Sequence, residues 1–311
     1  MPTTPARPPS TTFPPYLTPG DHVAILSPAG KIDRQVAQRG AAALRQHGFV
    51  VEIGPHAFDV AGVFAGPDPA RAADMQQALD DPAIKAIFFS RGGYGCLRTH
   101  LLLDWTGFLK HPKWLVGFSD TTVFHAFLAR HHIASVHGVM TGRFEQHGVP
   151  TESFLRLLDL LEGRLPEYLI PAHGLNRTGA GSGIVTGGNL SIIQSLRGTP
   201  LDLQPQGRIL FIEDIGEHHY HLDRIMHNLK AGGVLELLSG LIVGHFTGMK
   251  DGETPFGQSA CEIIRAAVAP YDYPVVCGFP AGHESPNLPL LMGAVTSLQV
   301  AASGVTIKQI R

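Results

Sequence analysis

Short apolar runs alternate with longer amphipathic stretches over roughly the first 140 residues, a rhythm that predicts a repeated strand–helix unit. HVAIL, closing in Ser27-Pro28-Ala29-Gly30, reads as a buried strand, and residues 34–47 then carry apolar positions at helical spacing until Gly48 stops them. FVVEIGP follows as a second strand and 68–80 as a second helix; AIKAIFF then leads into the glycine-rich turn SRGGYG and another helix start. WLVG ends in a Gly-Phe-Ser-Asp turn ahead of a helix over 121–131, and IASVHGVM is a fifth short strand. Strands apolar on both faces imply a parallel sheet covered by helices. Such sheets hold ligands beyond the carboxyl ends of their strands, so the turns at 27–30, 91–95 and 117–120 should share one rim.

The alternation stops near residue 141. Residues 141–183 hold one short helix, 152–162, among loop rich in Pro, Gly and Asn, which predicts a boundary. Beyond it GSGIVTGGNLSIIQSL, GRILFIED, LSGLIVGHF, YPVVCGF and AVTSLQVAASGVTIKQI are β-rich runs with helices between them, a mixed sheet or small barrel. The expected fold is therefore α/β in two domains. An N-terminal parallel-sheet domain, Rossmann- or flavodoxin-like, covers 17–142, a linker 143–182, and a C-terminal β-rich mixed α/β domain of swivelling type 183–311. Residues 1–16 are dense in Pro, Thr and Ser and lack the apolar core of a secretory signal, so a disordered or draped tail is expected there.

Composition narrows the classes. With 311 residues, 44% hydrophobic and 16% charged, the chain can bury a large core, and a net charge of -2 offers no basic field for nucleic acid. No run approaches the roughly 18 apolar residues of a membrane span, so neither membrane nor nucleic acid is an expected partner and the expected location is cytoplasmic. Cys96, Cys261 and Cys277 lie far apart with no CxxC pair, and free buried thiols are expected.

The turn after WLVG carries the chemistry. A strand that breaks into a turn bearing Ser119, with a helix directly behind, lifts a nucleophilic hydroxyl from a sheet edge, although Thr121 stands where the usual elbow has glycine. The bland alternative is that Ser119 or Asp120 only caps the helix. Gly92-Gly93-Tyr94-Gly95 fits neither the dinucleotide nor the P-loop spacing, but its glycines allow close backbone approach to a substrate. The N–H groups of Gly93 and Asp120 can then stabilise the oxyanion of a tetrahedral intermediate. A serine needs a base, and of 17 histidines His283 stands out in the loop GFPAGHESPN, with His137 and His245 competing at strand ends. His125, His131 and His132 read as surface positions of a helix. GRILFIED delivers Glu213 and Asp214 on opposite faces, of which one can orient the base. EHHYH gathers His218, His219 and His221 around Glu217, but without an HExxH pattern or a visible third ligand no metal site is expected.

Taken together, SPAG, RGGYG, GFSD, GGNLSII, FIED with Tyr220, Asp223 and Arg224, IVGHF and GFPAGHESPNLPLLMGA resemble, in order and spacing, the LD-carboxypeptidases, serine peptidases related to the microcin-immunity peptidases. The resemblance implies a triad of Ser119, Glu213 and His283, oxyanion donors at Gly93 and Asp120, and a substrate cleft lined by Tyr94 and Asn189. It also implies no metal or organic cofactor, a homodimer, and release of terminal D-alanine from cytoplasmic murein tetrapeptides during cell-wall recycling. Action on another peptidyl conjugate is the alternative within enzymes. A non-catalytic two-domain binding protein is the alternative outside them, and would not need the three side chains to converge.

Overall fold

The computed structural model describes residues 10–311. The part of the expected tail that covers 1–9 lies outside the described residues. From Thr12 the chain is laid on the surface: Thr12 bridges to Ile133, the Trp114 indole N–H donates to the Pro15 carbonyl at 2.7 Å, and Leu17 is buried.

Five parallel strands, β1 (His22–Leu26), β2 (Val50–Ile53), β3 (Ile84–Phe89), β4 (Trp114–Gly117) and β5 (Ser135–His137), form the first sheet. Between them run α1 (Arg34–Gln46), α2 (Asp68–Asp80), α3 (Cys96–His100), α4 (Thr106–Lys110) and α5 (Thr122–Arg130). β4 is buried throughout, as its four apolar positions require. Asp33 opens α1 by accepting from the Gln35 and Val36 N–H groups, and Gly48 closes it at φ +89°. Two apolar layers cover the sheet, one under α1 with Leu44 and Phe88, the other under α2 and α5 with Met75 and Phe124.

A hairpin of β6 (Glu145–Gln146) and β7 (Val149–Pro150) leads to α6 (Glu152–Leu161), whose Phe154 and Leu157 join the α1-side core. The stretch read as loop also contains β8 (Glu167–Pro171), the edge of a second sheet. The remaining elements are β9 (Gly179–Asn189), α7 (Leu190–Ser195), β10 (Ile209–Ile215), α8 (His219–Ala231), β11 (Gly240–Thr247), α9 (Ala260–Ala267), β12 (Val275–Cys277), β13 (Leu290–Met292), β14 (Val295–Ala301) and β15 (Gly304–Ile310).

The second sheet has seven strands in the order β12-β11-β10-β9-β14-β15-β8, so it is an open mixed sheet and not a barrel. β9 bridges its two characters: residues 179–184 pair antiparallel with β14 and 185–189 parallel with β10. β13, read as loop from the sequence, crosses over to become the sixth strand of the first sheet, antiparallel to β5. The molecule is thus an α/β protein with one parallel-dominated and one mixed sheet. Among the described residues no helix is long and apolar enough to cross a membrane.

The thiols need correcting. Cys96 is free and buried, but Cys261 on α9 and Cys277 at the end of β12 form a disulfide. They are 16 residues apart in sequence, and the packing of α9 against β12 brings their Cα atoms to 6.5 Å, a proximity that linear spacing does not display.

Candidate active site

A cleft of about 610 Å3 opens on the rim formed by the carboxyl ends of the first sheet, lined by Arg91, Gly92, Gly93, Phe118, Ser119, Arg143 and His283 among others. A groove of about 750 Å3 beside Phe13, Gly183 and Arg311 is larger, but no Asp, Glu or His side chain lines it among the described residues.

Ser119 sits two residues beyond β4 at φ +65°, in the left-handed region that side-chain-bearing residues seldom occupy. That conformation costs on the order of 1–2 kcal/mol. It bends the chain sharply into the 3-10 turn Ser119–Thr121 that opens α5. Neither Ser119 nor Asp120 caps the helix with its side chain. The Asp120 carboxylate instead accepts the Cys96 N–H at 2.7 Å, tying the Ser119 turn to the end of the RGGYG loop. Glycine at 92 is a steric requirement, because a methyl group there would stand 2.9 Å from Ser119 Cβ and 3.0 Å from its Oγ. Gly93, at φ +103°, lines the cleft, and the SPAG turn braces the pair through the Gly30 N–H to the Gly92 carbonyl at 3.0 Å.

His125 is not a surface residue. It is 2% exposed, with Nε2 2.9 Å from the Gly117 carbonyl and Nδ1 2.8 Å from Ser135 Oγ. A carbonyl only accepts, so Nε2 carries the proton and Nδ1 takes the Ser135 hydroxyl hydrogen. Burial pushes its pKa down to about 4, so it stays neutral and pins the end of β4 beneath Ser119.

Glu213 is fully buried on β10, and its Oε2 accepts the His283 Nδ1–H at 2.7 Å. This bond fixes the neutral tautomer, leaving Nε2 as the acceptor that a nucleophilic hydroxyl requires. The His283 ring packs edge-on to Phe118, with centroids 4.9 Å apart. Its loop is braced internally and tied to α6: the Gly282 N–H donates to Asn287 Oδ1 at 2.9 Å, and the Asn287 N–H to Ser153 Oγ on α6 at 2.8 Å. The competing histidines are placed elsewhere. His137 is buried with neither nitrogen partnered, its pKa pushed well down by burial, and His245 lies outside the cleft wall.

Asp214 faces the other way. It accepts from Asn189 Nδ2, the Ser191 N–H and hydroxyl and the Ile215 N–H, and burial pushes its pKa up to about 6. Asn189 is committed to that bond and to capping α7 through the Ile192 N–H, so its side chain is not brought to the cleft. Its contribution is to join β9 to α5: the Asn189 N–H donates to Thr122 Oγ1 at 3.0 Å, and a methyl on Gly188 would come within 2.6 Å of that oxygen. Tyr94 is exposed beside Phe64 and is not part of the cleft wall. The histidines of EHHYH do not converge; His221 bonds Glu217 and His219 bonds Asp251, fastening the start of α8 to the loop after β11. Arg143 was not anticipated. It follows the carboxyl end of β5, on the same rim as the other loops, which is the one signal that could have marked it.

Residues 23–138 match the family model for the LD-carboxypeptidase N-terminal domain, and residues 182–298 that for the LD-carboxypeptidase C-terminal domain. A probable murein peptide carboxypeptidase of Bacillus subtilis is 30% identical over 300 residues, covering 95% of this chain and 94% of that protein. The murein tetrapeptide carboxypeptidase of Pseudomonas aeruginosa is 32% identical over 279 residues, covering 85% and 89% respectively. The crystal structure of a muramoyltetrapeptide carboxypeptidase from Oxalobacter formigenes superposes with a TM-score of 0.85 at 27% identity, over 93% of this chain and 99% of that one.

Proposed function

The chain belongs to the LD-carboxypeptidase family and is a peptidase, and from that premise we propose that it releases the terminal D-alanine of murein tetrapeptides by a triad of Ser119, His283 and Glu213. The observation that carries this reading is the 2.7 Å bond between His283 Nδ1 and Glu213 Oε2 behind a cleft that both His283 and the strained Ser119 line.

In the proposed reaction the Ser119 hydroxyl attacks the carbonyl carbon of the L-diamino acid and its proton passes to His283 Nε2. Glu213 stabilises the imidazolium. The N–H groups of Gly93 and Asp120 receive the developing oxyanion, each worth on the order of 3 kcal/mol of barrier. Collapse of the intermediate breaks the C–N bond, and the imidazolium gives its proton to the departing amine of D-alanine. A water, deprotonated by His283, then cleaves the Ser119 ester and frees the tripeptide. In this reading residues 17–142 supply the nucleophile and 183–311 the other two groups, across the linker 143–182. The working form is a homodimer in the cytoplasm, acting on recycled wall peptides.

Ser119→Ala should lower D-alanine release from a murein tetrapeptide by about 10^4-fold or more while leaving the far-UV circular dichroism unchanged. Release within tenfold of the parent enzyme would refute the assigned nucleophile.

A further inference from the structure

We propose that Arg143 binds the free carboxylate of the departing residue and so makes the enzyme selective for acid termini; the assignment rests on the functional reading above. A leaving amine takes its proton from the imidazole, so it must lie on the His283 side of Ser119, away from Gly93 and the Asp120 N–H. In a terminal amino acid the carboxylate is two bonds from that nitrogen, roughly 3 Å away. It therefore falls beside His283, and the group that meets it must be there too.

Arg143 occupies that position. It closes the 3-10 turn Thr141–Arg143, which is anchored by buried Thr141 through its hydroxyl to the Ser90 carbonyl. Its guanidinium lies 5.9 Å from the Phe118 ring centroid, and Nη1 is 3.5 Å from the carbonyl oxygen of Glu284, next to the base. Phe118 also touches the His283 ring, so the cation and the base share one wall. Arg143 and His283 line both the catalytic cleft and an adjoining hollow of about 340 Å3, so the guanidinium stands beside the base where the two cavities share a wall.

Its charge is uncommitted. Among the described residues no carboxylate lies within salt-bridge distance of Arg143, whereas Glu145 close by pairs with Arg39 and Asp33 caps α1. A planar guanidinium fork matches a carboxylate in a bidentate manner. Arg91 is the other cation of the cleft, but it follows β3, adjoins Gly92 and donates to the Lys31 carbonyl at 3.0 Å. That is the oxyanion side, where the acyl part of the peptide lies, so Arg91 cannot serve the leaving group.

The test uses the full chain carrying Ser119→Ala, with calorimetric binding of a murein tetrapeptide ending in D-alanine and of its C-terminal amide. The acid should bind more tightly than the amide by about 10- to 100-fold, the scale of a charge-assisted bidentate contact. Adding Arg143→Gln should collapse that ratio to within about threefold of unity by weakening the acid alone, and Arg143→Lys should leave an intermediate ratio. Absence of acid binding, a ratio unchanged by Arg143→Gln, equal weakening of both peptides, or collapse with Arg91→Gln instead would overturn the assignment. D-Alanine release by the enzyme with Ser119 intact is scored separately. If release fails while the binding ratio behaves as stated, the functional reading falls and the carboxylate site stands.

Discussion

A methyl group on Gly92 would stand 2.9 Å from Ser119 Cβ, and Gly92 itself does not occupy the left-handed region, so alanine there meets no backbone penalty. Gly92→Ala should therefore act chiefly on Ser119, the proposed nucleophile. A displacement of the hydroxyl by about 1 Å is enough to cost about 100-fold in kcat/KM, with little change in Tm; a variant with parental kcat/KM would show that the two loops have slack. Single residues were legible where chemistry forces a local signature. Ser119 breaks an apolar run, His283 stands in a loop that has no packing need for it, and alternation sends Glu213 and Asp214 to opposite faces. Roles that depend on burial were hidden. Nothing in VHGVM or TTVFHAF says that His137 and His125 are enclosed, and nothing in GGN says that Asn189 serves Asp214 and Thr122 instead of the cleft.

Helices in the first half were legible because they carry amphipathic periodicity and explicit ends; 68–80 coincides with α2, and 34–47 overruns α1 by one residue. β8 and β13 were not, because a strand of three to five residues at a sheet edge borrows its register from a partner far away in the chain. The clamp between α5 and β4 has a pH signature of its own. His125 titrates near 6.5 when unfolded but is pushed down to about 4 by burial in the native state. Between those values the unfolded chain binds a proton that the native one refuses, so stability rises with pH there. The contribution is complete above about pH 6.5 and is lost as pH falls towards 4, amounting to about 3 kcal/mol over the whole window. His137 adds a slope of the same sign, so the informative quantity is the difference between proteins. Urea unfolding at pH 7.5 and 5.0 should show His125→Gln, which can still donate to the Gly117 carbonyl, losing about 2 kcal/mol less than the parent over that interval. Equal losses in both proteins would mean that His125 is not the neutral, buried group described.

At the scale of the whole molecule, β13 decides whether the two sheets can be treated as separable. Its side chains alternate between cores: Leu291 enters the layer under α1 in the first sheet, while Leu290 and Met292 enter the layer under Phe211 and Phe279 in the second. All three are at most 4% exposed. Burying them contributes about 2 kcal/mol each, so together they approach the total stability of an ordinary domain, about 5–15 kcal/mol. Pulling the second sheet away would strip β5 of its partner on the β13 side and expose that surface, and the same motion would carry Glu213 and His283 away from Ser119. One transition should therefore govern both fold and site. Trp105 and Trp114, the two tryptophans of the chain, both lie in the cores of the first sheet, so their fluorescence reports that half alone. On heating, tryptophan fluorescence, far-UV circular dichroism and loss of peptidase activity should coincide within about 2 °C, as a cooperative two-state unit requires. A fluorescence transition several degrees above the loss of dichroism and activity would instead mean that the first sheet survives without β13, and that Ser119, Glu213 and His283 are brought together by a dockable interface and not by a shared core.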